Sequence, residues 1–187
     1  MKTLMYFLVL AILVIAGCAK DDTMFETQDN LELKKAKVPI PFKADLYIVA
    51  DRESDKILVE GLDPEDSSSY ANSRMIVSGT GTHLGKINTE KSFYEFENLK
   101  FFLDENGYPF TLNTGAGIIV AANGDSFEFT FKIIQNVIDY SWSGPNEIIP
   151  GSGTGKFEGC SGTLEAVGGW QDDVGDWCII QGFLVYE

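Results

Sequence analysis

Between Ser126 and Lys132 the chain alternates without a fault. Phe127, Phe129 and Phe131 fall on one side, and Ser126, Glu128, Thr130 and Lys132 on the other. A spacing of two marks a strand, because successive side chains of a pleated backbone point to opposite faces. Three aromatic rings on one face need an apolar interior to cover them. The spacing therefore predicts a sheet wrapped around a core, with these three rings pointing into a barrel lumen. Val38, Ile40, Phe42, Ala44, Leu46 and Ile48 repeat the pattern opposite Pro39, Pro41, Lys43 and Asp45. Proline cannot donate to a ladder, so one side of that strand is expected to be an edge or a bulge.

The rest of the chain reads the same way. Ile57-Leu58-Val59, Arg74 to Lys86, Ser92 to Asp104, Thr114 to Ala121, Thr163 to Trp170 and Trp177 to Tyr186 all look like strands, and no helix is expected after Cys18. The 187 residues suffice for one domain, and 13 Phe, 7 Tyr and 19 Gly lean toward all-β. About eight antiparallel strands over residues 38–187 fit a small up-and-down barrel, in which closure removes the edges. A formal charge of −14 argues against nucleic acid as a partner.

Glycines mark the corners. Gly151, Gly153, Gly155, Gly159 and Gly162 crowd the twelve residues before the last hairpin, where the barrel is expected to turn. Gly79, Gly81 and Gly85 interrupt a strand, which predicts a bulge, a sharp bend or close contact with another backbone. Asn123-Gly124 is the favoured pair of a two-residue type I′ hairpin. Gly144-Pro145-Asn146 is expected to break the chain. The last strand is apolar on both faces. Its Cys178, Ile180, Leu184 and Tyr186 row is expected to be the outer one, covered by the N-terminal segment or by another copy of the chain.

The first residues form an address. Lys2 precedes an apolar run from Leu4 to Ile15, too short to span a bilayer comfortably. Ile15-Ala16-Gly17-Cys18 resembles the bacterial lipobox. That resemblance implies a signal peptide over residues 1–17, a diacylglycerol on the Cys18 sulfur, and a tether over residues 18–37. Two or three acyl chains hold stably in a membrane where one does not. Lys20-Asp21-Asp22 resembles the export signal that sends some lipoproteins to the surface of Gram-negative cells. An outer-membrane lipoprotein on the cell surface is expected, with the periplasmic face as the alternative.

Three glycine blocks together resemble secreted bacterial proteins with an allene oxide cyclase/dirigent-like barrel. They are Gly81-Thr82-His83-Leu84-Gly85-Lys86, Ala121-Ala122-Asn123-Gly124-Asp125, and Gly153-Thr154-Gly155-Lys156-Phe157-Glu158-Gly159 with Ser161-Gly162. The resemblance covers roughly residues 38–187 and implies an eight-stranded antiparallel barrel. The plant members are trimers, so a homotrimer is an expectation. No activity is implied.

No motif carries a reaction. His83 is the only histidine and has no nucleophile or orienting acid at a recognisable spacing. One histidine and a lipidated Cys18 leave no zinc ligand set. Lys156 and Lys86 are followed by Phe157 and Ile87, so the hydroxyl of a phosphate loop is missing, and no βαβ unit surrounds the glycines. Asp172, Asp173 and Asp176 lack calcium-loop spacing and read as a solvated hairpin loop. No cofactor or metal is expected. Cys160 and Cys178 are either a disulfide or two buried thiols, and simple hairpin pairing puts Cys178 opposite residue 166. Two functions stay open: a non-enzymatic barrel binding a small molecule, glycan or protein, and an isomerase- or cyclase-type enzyme acting on an apolar substrate. The lumen separates them. Phe127, Phe129 and Phe131 could fill it, whereas an open cavity of ~300 Å³ with polar groups would admit a substrate.

Overall fold

The computed structural model describes residues 38–171 and 175–186. Its strands are β1 (Ile40–Ala50), β2 (Lys56–Glu60), β3 (Tyr70–Asn72), β4 (Arg74–Gly81), β5 (Gly85–Lys86), β6 (Phe93–Leu103), β7 (Pro109–Val120), β8 (Ser126–Asn136), β9 (Trp142–Ile148), β10 (Cys160–Gln171) and β11 (Gly175–Tyr186). Eight of them close a ring in the order β1, β4, β6, β7, β8, β9, β10, β11 and back to β1, every neighbour antiparallel. The chain is an all-β, eight-stranded barrel with β2, β3 and β5 as additions. β1 pairs β11 from Ile40 onward but meets β4 only from Ala44, so Pro41 has a free side.

Phe127, Phe129 and Phe131 are buried inside the ring. Their neighbours on β7 explain how. Gly117 lies opposite Phe129 and Gly115 opposite Phe131. A Cβ at Gly117 would stand 2.5 Å from the Phe129 ring, and one at Gly115 would stand 2.9 Å from the Phe131 ring. The rings thus lie across the backbone of the next strand, in space that any side chain would take. Trp142 on β9 does the same over Gly168 of β10, where a Cβ would come within 2.2 Å of the indole. Large rings laid over bare backbone are one way a strongly curved sheet is filled and bent.

One end of the barrel is plugged. Phe127 meets Phe42 at 5.9 Å and Phe157 at 5.2 Å, both edge to face. Phe157 is fully buried and sits in a short 3-10 turn, Gly155–Phe157, within the glycine corner between β9 and β10. That corner is strapped to β8. Ser126 N–H donates to Thr154 Oγ1 (2.9 Å), Thr154 N–H to the Ser126 carbonyl (2.8 Å), and Glu128 N–H to Ser152 Oγ (3.0 Å). Gly155 has φ +58°, and a Cβ there would strike the Asp125 carboxylate at 1.8 Å. The clustered glycines therefore let the corner fold under the barrel as a stopper.

Several local expectations change. Gly81 to Lys86 is not a bent strand. It is a tight turn between β4 and β5, with His83 itself at φ +63°. Asn123-Gly124 is not a two-residue type I′ pair. Only Gly124 has positive φ (+95°), and the loop is closed by Gly124 N–H to the Ala121 carbonyl and Ala121 N–H to the Asp125 carbonyl. Gly144-Pro145-Asn146 does not break the chain but lies inside β9. Gly144 lets β9 approach the Lys132 carbonyl, which a Cβ would meet at 2.0 Å. Pro145 falls where the β8–β9 ladder is interrupted, between the Phe131–Asn146 and Ile134–Ser143 pairs.

The two faces of β11 are the reverse of the expectation. Cys178, Ile180, Leu184 and Tyr186 are the buried lumen row, while Trp177, Phe183 and Val185 are exposed. The disulfide is also excluded, since Cys160 and Cys178 are free thiols. Cys160 lies opposite Tyr186 and Cys178 opposite Gly168 on the same ladder. That places the two thiols about 27 Å apart along the strands at ~3.3 Å per residue, against the ~7 Å Cα limit of a disulfide. Burial pushes the Cys160 thiol up to about 11 and Cys178 further still, which keeps both protonated and unreactive.

Among the described residues, every core residue lies between Phe42 and Tyr186. In that segment Ile180→Asp should lose roughly 3 kcal/mol or more of stability, because it buries an unpaired carboxylate. Phe183→Glu on the outer row should stay within ~0.5 kcal/mol. Urea titrations of the two variants check the assignment of faces; equal losses would reverse it.

Candidate functional site

The end away from the stopper is open. β4 pairs β6 only through Phe93, Tyr94 and Glu95, and β6 then bulges between Phe96 and Asn98. Beyond the bulge, β2 takes over as the neighbour, pairing in parallel at Val59–Leu99 and Glu60–Lys100, with β3 alongside it. The additional strands thus rebuild the wall further out than β4 would have placed it. Inside lies a cavity of about 410 Å³. Val59, Leu99, Ile133, Ile48 and Met75 give it apolar walls, and Tyr94 and Phe96 lie at its inner end. Those two rings pack on Phe131, at 5.1 and 5.6 Å, so the aromatic plug of one half is the floor of the other.

Polar groups enter this space at a few points. Asn113, Thr111, Gln135, Asn72 and Asp176 all line it. Thr111 Oγ1 is sealed from solvent and has no hydrogen-bond partner among the described residues. Asn72 is held in place at both ends of its amide, accepting from Lys56 Nζ and donating to the Asp51 carbonyl. Below the cavity, the buried Asn146 Nδ2 donates to Tyr94 Oη at 2.9 Å, and Asn146 Oδ1 has no partner. Burial holds the Tyr94 phenol well above its ordinary value, so it stays neutral.

Among the described residues, Asp176 is the only acidic or basic side chain in the lining. It lies opposite Ile48 on β1 and Trp170 on β10, and it shares the inward face of β11 with Cys178. It is half-buried and has no salt bridge among the described residues. Burial raises its carboxyl above the usual carboxylate range, and a hydrogen bond from the Trp142 indole offsets part of this. Trp142 is itself buried in the wall. At the rim, Trp170 and Tyr140 are exposed with ring centroids 6.0 Å apart. Tyr140 takes φ +57°, a conformation that costs a non-glycine residue about 1 kcal/mol or more.

No protein-family model, curated protein or solved structure matches this chain. The site must be read from its own geometry.

The expected site residues separate by location. Phe127 is deep in the closed half, Phe129 is at mid-barrel, and Phe131 backs the cavity floor. His83 and the glycine blocks at Gly81, Gly85, Gly153, Gly155, Gly159 and Gly162 lie at or near the closed end, away from the cavity. Cys18, Lys20, Asp21 and Asp22 fall outside the described residues, as do Asp172 and Asp173. Sequence reading missed the polar groups of the lumen. Asp176, expected in a solvated hairpin loop, lies instead in β11 on the row of Cys178 and Ile180, and its parity points inward only once the register of β11 with β1 is known.

A raised carboxyl value in the folded state means that the folded protein takes up the proton more readily than the unfolded chain. The charged form therefore costs stability above that range, and the cost is relieved as pH falls through it. Asp176→Asn should raise the melting temperature of the empty barrel at pH 7 by an amount worth under ~1 kcal/mol, given its solvent exposure. The gain should shrink as the wild-type carboxyl protonates at lower pH. Thermal melts of both forms across the acidic range check this, and a gain independent of pH would contradict it.

Proposed function

We propose that this barrel binds a small, largely apolar molecule in the open half of its lumen and works tethered to a membrane. The observation that carries the first part is the cavity of about 410 Å³, with apolar walls and a small set of polar groups. Ligand sites typically have this size and this balance of lining. The half-buried Asp176 carboxyl is a group that a ligand's polar end would satisfy. Phe127, Phe129 and Phe131 leave this half open, the condition under which the isomerase- or cyclase-type reading also stays open.

A direct test uses N-phenyl-1-naphthylamine, an uncharged fluorophore of suitable size. The wild-type protein should bind one equivalent saturably. Ala71→Trp, which fills the cavity from β3 rather than from the ring, should weaken binding at least about tenfold, since the cavity holds only one drug-sized ligand. Absence of saturable binding to the wild type would overturn the reading. The same carboxyl favours a second reading, in which Asp176 moves a proton on a bound apolar substrate, as in an isomerase. Asp176→Asn would then bind the substrate and fail to convert it.

The membrane tether is inferred from Ile15-Ala16-Gly17-Cys18, and surface display from Lys20-Asp21-Asp22. Cys18→Ser should shift the protein out of the membrane fraction or stop its processing. Fractionation and the mass of the mature N-terminus read this out, and an unlipidated soluble wild type would refute the anchor. Kinship with allene oxide cyclase/dirigent-like proteins rests on the three glycine blocks. The trimer it implies would use the exposed β11 row of Trp177, Phe183 and Val185.

A further inference from the structure

We propose that the molecule taken by this cavity is an organic cation: an ammonium whose apolar body fills the lumen and whose charged head sits against the Asp176 carboxylate beside Trp142. The inference rests on the lumen reading above and narrows it to a chemical class.

Three observations converge. Among the described residues the cavity lining holds one acid and no Lys, Arg or His, and the nearest ammonium, Lys56 Nζ, is engaged by Asn72 at the rim, so a ligand cation would give the carboxylate a counter-charge that the described lining lacks. Aromatic rings gather on the same side. Trp142 shares the lining with Asp176 and donates to it, Trp170 is its cross-strand partner on β10, and Tyr140 leans on Trp170. Aromatic faces attract ammonium groups, and a carboxylate among rings is a common way to hold one.

The third observation is the charge of the two ends. At the mouth, the loops over residues 51–55, 104–108 and 137–141 carry Asp51, Glu53, Asp55, Asp104, Glu105 and Asp139 against Arg52 alone. At the stoppered end, the segments over residues 87–92, 121–125 and 149–159 carry Glu90, Asp125 and Glu158 against Lys91 and Lys156. The negative field is thus concentrated around the entrance. A field of one sign around a cleft raises the local concentration and arrival rate of oppositely charged ligands. An anionic amphiphile, a fatty acid for example, would be repelled at the rim and would meet Asp176 inside. Burial acts in the same direction. A carboxyl that is costly to charge when alone gains most from a cation that follows it into the cavity.

The test compares one tail with three heads: decyltrimethylammonium, 1-decanol and decanoate, each below its micelle concentration. They are titrated calorimetrically into the chain from residue 19 to 187, without the signal segment and the lipid. The wild type should bind the ammonium at least about tenfold more tightly than the alcohol, and decanoate least. Asp176→Asn, its folding checked by its thermal melt, should lose the preference for the cation over the alcohol. Gln135→Lys, which places a cation in the same lining, should weaken the ammonium and strengthen decanoate. Equal binding of alcohol and ammonium by the wild type, or a cation preference that survives Asp176→Asn, overturns the ligand class and leaves the lumen reading standing. If none of the three binds saturably, both are overturned.

Discussion

Phe129, Phe131 and Trp142 lie over Gly117, Gly115 and Gly168, and the rest of the barrel depends on that arrangement. An eight-stranded ring has room for little more than its own side chains. Each ring placed over bare backbone takes up lumen volume while letting its neighbour strand bend close. Replacing any of these glycines with alanine would put a Cβ inside a ring or against a carbonyl such as that of Glu95, 2.0 Å from the Gly115 position. Glycine therefore weakens these strands locally and fits them to the ring globally. Overpacking such a site typically costs 1–3 kcal/mol, more where the neighbour is backbone.

The same packing divides the molecule. Rings fill the half that ends in Phe157 and the glycine corner. The other half has Thr111, Asn113, Ala71 and Val59 where the closed half has phenylalanines, and β2 with β3 sets its wall outward. Close packing and open space are thus separated along the barrel axis. Residues of the closed end can be optimised for packing alone, while the open half carries the unpaired hydroxyl of Thr111 and the half-buried carboxyl of Asp176. Groups of that kind lower stability and are more often kept at sites that use them.

Much of the ring was legible because alternation survives wherever one face is buried and the other wet. Phe127 to Phe131 and Phe42 to Ile48 are such strands. Legibility failed where a strand is apolar on both faces. Parity alone does not say which row of β11 is inside; its register with β1 does, placing Ala44 opposite Ile180 and Leu46 opposite Cys178. Turn chemistry also misled. Asn123 keeps negative φ because the loop runs from Ala121 to Asp125, so the strands meet farther back than a two-residue turn requires. Gly144-Pro145 passed for a breaker because proline's missing donor is harmless only where the ladder already has a gap. The site was the least visible part. Its residues come one to three at a time from nine strands, and Asp176 follows a run of acidic loop residues that disguises its inward parity.

The unpaired carboxyl also bears on why a barrel of this kind keeps an open half. Filling it would be simple: larger residues at Ala71 and Thr111 would add buried apolar area at ~25 cal/mol per Å² and remove an unsatisfied hydroxyl. Replacing Asp176 with an apolar residue would remove a desolvation cost as well. All three changes would stabilise the empty protein, and each would abolish a feature that only a bound molecule uses. A lumen that merely had to be stable would lack this combination of void, bare hydroxyl and lone acid at one end of a barrel whose other end is packed to the last ring. This asymmetry is what supports the proposal that the open half takes a ligand.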